Sequence, residues 1–94
     1  MATSASVHPG LAIPPGETLS EELEARGMSQ RQLALQIGRP PQVINEICRG
    51  KKAITADTAL ALEAALDGIS AEFWLRLQAD YELAVARLRK SATG

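Results

Sequence analysis

The sequence contains few of the residues on which catalysis and metal binding depend. It has one histidine, His8, and one cysteine, Cys48, and no set of histidines, cysteines and carboxylates has metal-ligand spacing. A single cysteine cannot form an internal disulfide, which is compatible with a reducing cytoplasm. Cys48 falls on the apolar side of its segment, where a cysteine is usually a small core residue. No glycine-rich phosphate loop follows a strand, so we predict no enzyme activity, no cofactor and no bound metal.

Aromatic residues and long apolar runs are also scarce. Aromatics make up 3% of the 94 residues, and the apolar runs are short and broken by charge, so no segment is expected to span a membrane. The N-terminus has no basic segment followed by an apolar stretch, and no secretory signal is therefore expected. Alanine and leucine dominate while β-branched residues are sparse, which favours helices. These features predict a single small all-α domain located in the cytoplasm.

The net charge of −1 conceals an uneven distribution of charged residues. From Arg26 to Lys52 the chain holds six bases and one acid, Glu46, whereas the remainder holds four bases and ten acids. The six bases are Arg26, Arg31, Arg39, Arg49, Lys51 and Lys52. A basic region on an acidic body is typical of a focused anion-binding face. The alternative is that these charges only solvate helix surfaces.

The basic region coincides with two predicted short helices joined by a tight turn, within residues 28–53. Ser29 and Gln32 form an S-x-x-Q capping box at the start of the first, and Gly38 stands where that helix ends. Pro41 suits the first turn of the second, which is expected to end at Arg49. Two helices of this size predict a helix-turn-helix, whose second helix enters the major groove of DNA.

Three further helices are expected to support this unit. Residues 9–16, PGLAIPPG, are interrupted by prolines and glycines, and we expect them to be extended rather than helical. The predicted helices run from about Glu17 to Arg26, from a Thr55 cap to about Leu66, and from a Ser70 cap to about Lys90. The chain is thereby divided into an extended N-terminal arm (1–16), a helix-turn-helix domain with a C-terminal helix (17–90) and a frayed tail (91–94).

The predicted DNA contacts lie at the start of the second helix, on the polar face of the third, and in the turn and loop that flank it. The Gln42 amide can pair bidentately with adenine, and Glu46 can accept from a cytosine amino group or repel phosphate. Basic side chains beside them are expected to contact phosphates and to make binding salt-dependent. The candidates are Gln30, Arg31, Arg39, Gln42, Asn45, Glu46, Arg49, Lys51 and Lys52.

Apolar side chains on the fifth helix repeat at intervals of three and four residues: Trp74, Leu77, Tyr81 and Leu88. This face is larger than one short bundle needs, and we therefore predict that it forms a homodimer interface. A two-fold protein matches a two-fold operator, because a helix-turn-helix monomer reads only about half a site. Packing within the monomer is an equally simple explanation for some of these side chains.

Four segments together resemble the HigA-type antitoxins, which belong to the phage-repressor-like (XRE) group of helix-turn-helix proteins. They are His8-Pro9-Gly10, SQRQLALQIG (29–38), INEICRGKKAITADTAL (44–60) and FWLRLQADYELAVA (73–86). The resemblance covers about residues 8–89 and implies a five-helix all-α fold, a homodimer and repression of the chain's own operon at a palindromic operator. It also implies a cognate toxin, usually a RelE-like enzyme that cleaves mRNA on the ribosome. By the same resemblance, bases are read from Pro41, Gln42 and Glu46, and phosphates are contacted near Gln30 and Arg49.

Two positions depart from this family pattern. Pro41 has no side-chain donor where relatives carry a polar residue, and Val43 stands where an arginine or another polar residue is common. Val43 is expected either to meet a thymine methyl group or to pack within the protein. Two alternatives therefore stay open: a stand-alone repressor without a toxin, and a protein-interaction module whose helix-turn-helix no longer reads DNA. The extended arm and the end of the fifth helix are both candidates for binding a toxin.

Overall fold

Five helices make up the part of the chain that the computed structural model describes, residues 12–93. The helices are α1 (Pro15–Ala25), α2 (Gln30–Ile37), α3 (Pro41–Cys48), α4 (Ala56–Ala65) and α5 (Ala71–Thr93). α2 packs mainly on α3, α1 contacts α3 and α5, and α4 contacts α2 and α5. The predicted five-helix, all-α helix-turn-helix fold is confirmed. No helix within residues 12–93 is long and apolar enough to cross a membrane.

The helix boundaries around the turn follow the local signals in the sequence. The Gln32 amide donates to the Ser29 hydroxyl (3.0 Å) and the Ser29 amide donates to the Gln32 side chain (2.7 Å), so the capping box is confirmed. Gly38 ends α2 with a φ of +68°, a left-handed conformation that favours glycine. The predicted Thr55 cap is also confirmed, because its hydroxyl accepts from the Thr58 amide at 3.3 Å.

A single apolar core lies between the helices. From the first three helices the core takes Leu19, Leu23, Leu33, Ala34, Ile44 and Ile47, which are all buried. Ile37 and Cys48 are half-buried and pack against the same core. From the C-terminal half of the chain the core takes Ile54, Ala59, Leu62, Leu66, Ala71 and Trp74. The helix-turn-helix therefore shares one core with α1, α4 and the first turns of α5.

The start of α1 departs from the prediction. The helix begins at Pro15, two residues before the expected Glu17, and includes Gly16. Proline suits this first position because its missing amide hydrogen is not needed there. Gly16 is buried where α1 crosses α3: a Cβ at this position would overlap the carbonyl oxygen of Ile47 and lie 2.7 Å from the Cα of Cys48. The expectation that residues up to Gly16 are not helical is therefore wrong. The rest of the predicted arm, residues 1–11 with His8, lies outside the described residues.

The first half of α5 belongs to the core. Trp74 has 0% of its surface exposed, and its ring makes a T-shaped contact with the Phe73 ring at a centroid distance of 5.5 Å. A side chain with no exposed surface cannot add contact area to a second copy, so the assignment of Trp74 to a dimer interface is wrong. Leu77 and Tyr81 are half-buried, because they lie at the margin of the same packing face.

The second half of α5 extends away from the core. The helix continues through Thr93, past the predicted end at Lys90, so the expected frayed tail is helical as far as the structure describes it. From Glu82 to Ala92 every side chain is exposed except those of Ala84 and Val85, which are half-buried. Leu83 and Leu88 keep 49% and 41% of their surface exposed. This half of the helix thus presents apolar side chains that the monomer does not cover.

Candidate nucleic-acid interface

The two helices of the helix-turn-helix are fixed to each other by a hydrogen bond between side chains. The amide nitrogen of Asn45, in the middle of α3, donates to the side-chain oxygen of Gln30, in the first turn of α2, at 3.2 Å. Ile44 and Ile47 are buried on the opposite side of α3. Asn45 and Gln30 are both half-buried, so the structure brings these two predicted contact residues together as a link between the helices.

The exposed face of α3 presents a second pair of polar side chains. Gln42 is exposed, and its Nε2 donates to a carboxylate oxygen of Glu46 one turn later, at the long distance of 3.4 Å. A primary amide carries two hydrogens and one acceptor oxygen. The bond to Glu46 therefore leaves one N–H and the Oε1 of Gln42 free. These are the two groups that a glutamine uses in pairing with adenine.

The leading edge of α3 is apolar. Pro40 occupies the N-cap position without a side-chain cap, and the Val43 amide donates to the Pro40 carbonyl at 3.0 Å. Pro41 is exposed, whereas Val43 is half-buried and packs against the core. Packing within the protein, one of the two roles expected for Val43, therefore covers part of its side chain. The edge of the helix is held rigid by the two prolines rather than by a polar cap.

Exposed basic side chains flank this face. Arg31 lies on α2, and Arg49, Lys51 and Lys52 lie at the end of α3 and in the loop that follows. Gly50 turns the chain at this point with a φ of +74°, and the Lys51 amide donates to the Glu46 carbonyl at 2.8 Å. Four of the six bases in the basic region are therefore open to solvent beside α2 and α3.

The other two bases of the region hold elements of the fold together. Arg39 is half-buried, and its Nη1 donates to the Thr58 hydroxyl at 2.8 Å, which ties the turn to α4. A contact between Arg39 and DNA stays a prediction. Arg26 pairs with Glu22 at 3.2 Å and donates to the Asp67 carbonyl at 2.7 Å. These contacts place Arg26 at the end of α1 remote from the α3 crossing.

A buried glutamine that sequence reasoning missed supports the basic loop. Gln78 of α5 is 8% exposed, and its Oε1 accepts from the backbone amide of Ile54 at 2.8 Å. Its Nε2 donates to a carboxylate oxygen of Glu82, also at 2.8 Å. The available signal was a polar residue on the buried side of the FWLRLQ segment, because a buried amide requires partners. Its partners are Ile54, 24 positions earlier in the chain, and Glu82, one helical turn later.

Nothing in the described part of the chain adds catalytic groups to this surface. Cys48 is a half-buried free cysteine on the inner side of α3. Within residues 12–93 no group of three or more histidine, cysteine, aspartate or glutamate side chains could hold a metal ion. The chemistry available at the site is hydrogen bonding from α3 and charge attraction from Arg31, Arg49, Lys51 and Lys52.

Comparison with known proteins gives relatives over most of the chain. A family described as helix-turn-helix matches residues 19–74. The virulence-associated protein I of Dichelobacter nodosus is 44% identical over 82 residues, which are 86% of this chain and 75% of that protein. The family match at residues 19–74 contains both helices of the helix-turn-helix and the start of α5.

Two solved structures share both sequence and fold. An addiction module antidote protein of a HigA family from Coxiella burnetii is 43% identical, with a TM-score of 0.77 over 87% of this chain and 88% of that one. The antitoxin HigA of Pseudomonas aeruginosa, solved with the higBA promoter, is 34% identical, with a TM-score of 0.81 over 88% of this chain and 90% of that one. Helix-turn-helix antitoxins and regulators of this kind are not enzymes, which agrees with the expectation from the sequence.

Proposed function

The chain belongs to the helix-turn-helix family and, within it, to the HigA-type antitoxins of the XRE group, and we propose that it represses its own operon and neutralises a toxin. The observation that carries the proposal is the exposed face of α3, with Gln42 free to read a base and Arg49 beside it. The HigA antitoxin of P. aeruginosa, which this chain resembles throughout α1–α5, was solved with promoter DNA.

In the proposed complex, α3 lies in the major groove and the start of α2 faces the phosphate backbone. Gln42 reads adenine through its free N–H and Oε1, while Glu46 holds the amide in that orientation. Arg31, Arg49, Lys51 and Lys52 contact phosphates, because all four are exposed around the reading face. Pro41 and Val43 form the apolar part of the same surface and fit a thymine methyl group.

The operator-binding form is proposed to be a homodimer. Two half-sites one helical turn apart, about 34–36 Å, require two copies related by a two-fold axis. With Trp74 in the core, the interface falls to the uncovered surfaces of Leu77, Tyr81 and Leu88 on α5. Leu88 is the most exposed of the three, so it is the side chain whose change tests the interface most directly.

The partner of the antitoxin activity is proposed to be a RelE-like toxin that cleaves mRNA, encoded next to this chain. The family supports this, because an antitoxin has a toxin as its counterpart. Operator DNA and a toxin that acts on ribosome-bound mRNA are both expected in the cytoplasm. The cytoplasmic location therefore belongs to the same proposal. A stand-alone repressor would differ in one observable respect: its operon would encode no small basic protein beside it.

Two measurements test the proposal. Purified protein is expected to shift a duplex covering its own promoter at low salt, and a scrambled duplex of equal length and composition is the control. The product of the neighbouring reading frame is expected to co-purify with the chain and to lose its mRNA cleavage in the complex. Failure to shift promoter DNA would remove the repressor function. A neighbouring product that neither binds nor is inhibited would leave a repressor alone.

A further inference from the structure

The loop between α3 and α4 carries two of the exposed lysines. The Lys51 amide holds its start through the Glu46 carbonyl at 2.8 Å, and its end is held at a buried point. Lys51 and Lys52 are exposed, as is Ala53, and the next residue, Ile54, is 2% exposed and belongs to the core. The Ile54 amide donates to Gln78 at 2.8 Å. The loop thus passes from solvent into the core where an α5 side chain holds its backbone.

Gln78 is suited to this role because both ends of its amide are engaged. Its Oε1 accepts from Ile54 and its Nε2 donates to Glu82, each at 2.8 Å. The bond to Glu82 fixes the side-chain rotamer, so the acceptor oxygen is aimed at the loop. A pocket of about 170 Å³ lies beside this pair, and Lys51, Lys52 and Glu82 are among its lining residues. The loop therefore has open space beside it and can shift when the internal bond is removed.

We propose that Gln78 is a positioning residue for DNA binding: by holding the Ile54 amide, it fixes the loop that presents Lys51 and Lys52 to the phosphate backbone. The inference rests on the proposed operator binding and adds a link that runs from α5 to the reading unit. α5 is also the helix proposed to meet the second copy. The same helix thus sets the position of phosphate contacts within each copy and holds the two copies together.

The first experiment measures promoter binding of Gln78→Ala against salt concentration. Log affinity falls with log salt, and each phosphate contact makes this slope steeper by about 0.9. Loss of the Lys52 contact, or of both lysine contacts, is therefore expected to make the slope less steep by about 0.9 to 1.8 and to weaken binding at low salt. Gln36→Ala removes the same side chain from an exposed position on α2 and is the matched control, expected to leave slope and affinity unchanged.

A double-mutant cycle separates positioning from a general loss of structure. In a Lys51→Ala, Lys52→Ala background no lysine remains to be positioned, and Gln78→Ala is expected to have little further effect on affinity. Thermal unfolding of each variant shows which fraction is folded at the assay temperature. An effect of Gln78→Ala that is the same in both backgrounds contradicts the inference and indicates that the residue serves stability alone.

An exchange of the two side chains gives a variant that preserves the geometry. Gln78→Glu alone places two carboxylates next to each other, and we expect it to bind promoter DNA less tightly. Adding Glu82→Gln restores an acceptor for Ile54 and a donor for position 78 with the net charge of the natural chain, and the affinity is expected to return to within about twofold. This pair keeps the test informative even where Gln78→Ala fails to fold.

The outcomes distinguish a failure of operator binding from a failure of the positioning role of Gln78. Absence of promoter binding by the natural chain removes the proposed function and this inference with it. Binding by the natural chain, together with a Gln78→Ala affinity and salt slope that match it, overturns the inference and leaves the proposed function in place. Three results together establish the positioning role. Gln78→Ala has a less steep dependence of affinity on salt, its effect is coupled to the two lysines, and the exchange of Gln78 and Glu82 restores the affinity.

Discussion

The α1–α3 crossing at Gly16 makes a quantitative prediction about stability. Gly16→Ala adds a methyl group that would overlap the Ile47 carbonyl oxygen and lie 2.7 Å from the Cα of Cys48. Both neighbours are backbone atoms, so no side chain can rotate to make room. The helices must therefore separate, and the Pro14 side chain, which lies close to Gly50 in the same region, must move with α1.

The magnitude follows from two opposing effects. Overpacking of a well-packed core costs about 1–3 kcal/mol and sometimes more, and contact with the α3 backbone, which cannot rotate away, favours the upper end. Alanine in a helix returns about 1 kcal/mol relative to glycine. We therefore expect a net loss of about 2 kcal/mol in the free energy of unfolding. For a domain of this size that loss corresponds to a fall of about 8–16 °C in Tm.

The assay uses the single tryptophan of the chain. Trp74 is fully buried, so its emission changes when the core opens, and urea titration gives the free energy of unfolding for the natural chain and for Gly16→Ala. Ser20→Ala, an exposed change on the same helix, is the control and is expected to be neutral or slightly stabilising. If Gly16→Ala unfolds within about 0.5 kcal/mol of the natural chain, the close crossing is incorrect.

Three further predictions concern the reading helix, its neighbour and the dimer. Gln42→Ala is expected to weaken binding to the preferred operator by about 5- to 150-fold while leaving binding to scrambled DNA unchanged, as measured by gel shift; equal losses on both would show that Gln42 reads no base. Ser29→Ala removes the α2 cap and is expected to lower the free energy of unfolding by about 1 kcal/mol in urea titration. Leu88→Glu is expected to shift the sedimentation coefficient toward that of a monomer, whereas Leu60→Glu, at a 57% exposed leucine on α4, is not. An unchanged Leu88→Glu dimer would place the interface elsewhere.

The features that were predictable from the sequence depend on residues within about four positions of each other. The capping box of Ser29 and Gln32 and the end of α2 at Gly38 are of this kind, because the groups that bond are neighbours on one helical turn. The division of α3 into a buried side with Ile44 and an exposed side with Gln42 follows from helical periodicity alone.

The features that were not predictable depend on which helices meet. Nothing near Gly16 in the sequence indicates that α3 approaches it, so two glycines and three prolines were interpreted as an extended arm. The bond from Arg39 to the Thr58 hydroxyl joins residues 19 positions apart and was not predictable either, and a contact between Arg39 and DNA stays a prediction. Trp74 belongs to a periodic apolar face that can serve either a core or an interface, and only the packing of α5 decides between them. All three features depend on contacts between residues distant in sequence.

In the proposed homodimer, the order of the uncovered second half of α5 is expected to depend on the concentration of the chain. A few helical turns without a packed face are only marginally stable in water, and they open and close independently of the core. Their order increases with anything that binds them, so a second copy stabilises them by mass action. Amide exchange from Leu83 to Ala92 is therefore expected to slow as protein concentration rises through the range in which the dimer forms. The end of α5 would then be better ordered where the chain has accumulated than where it is scarce.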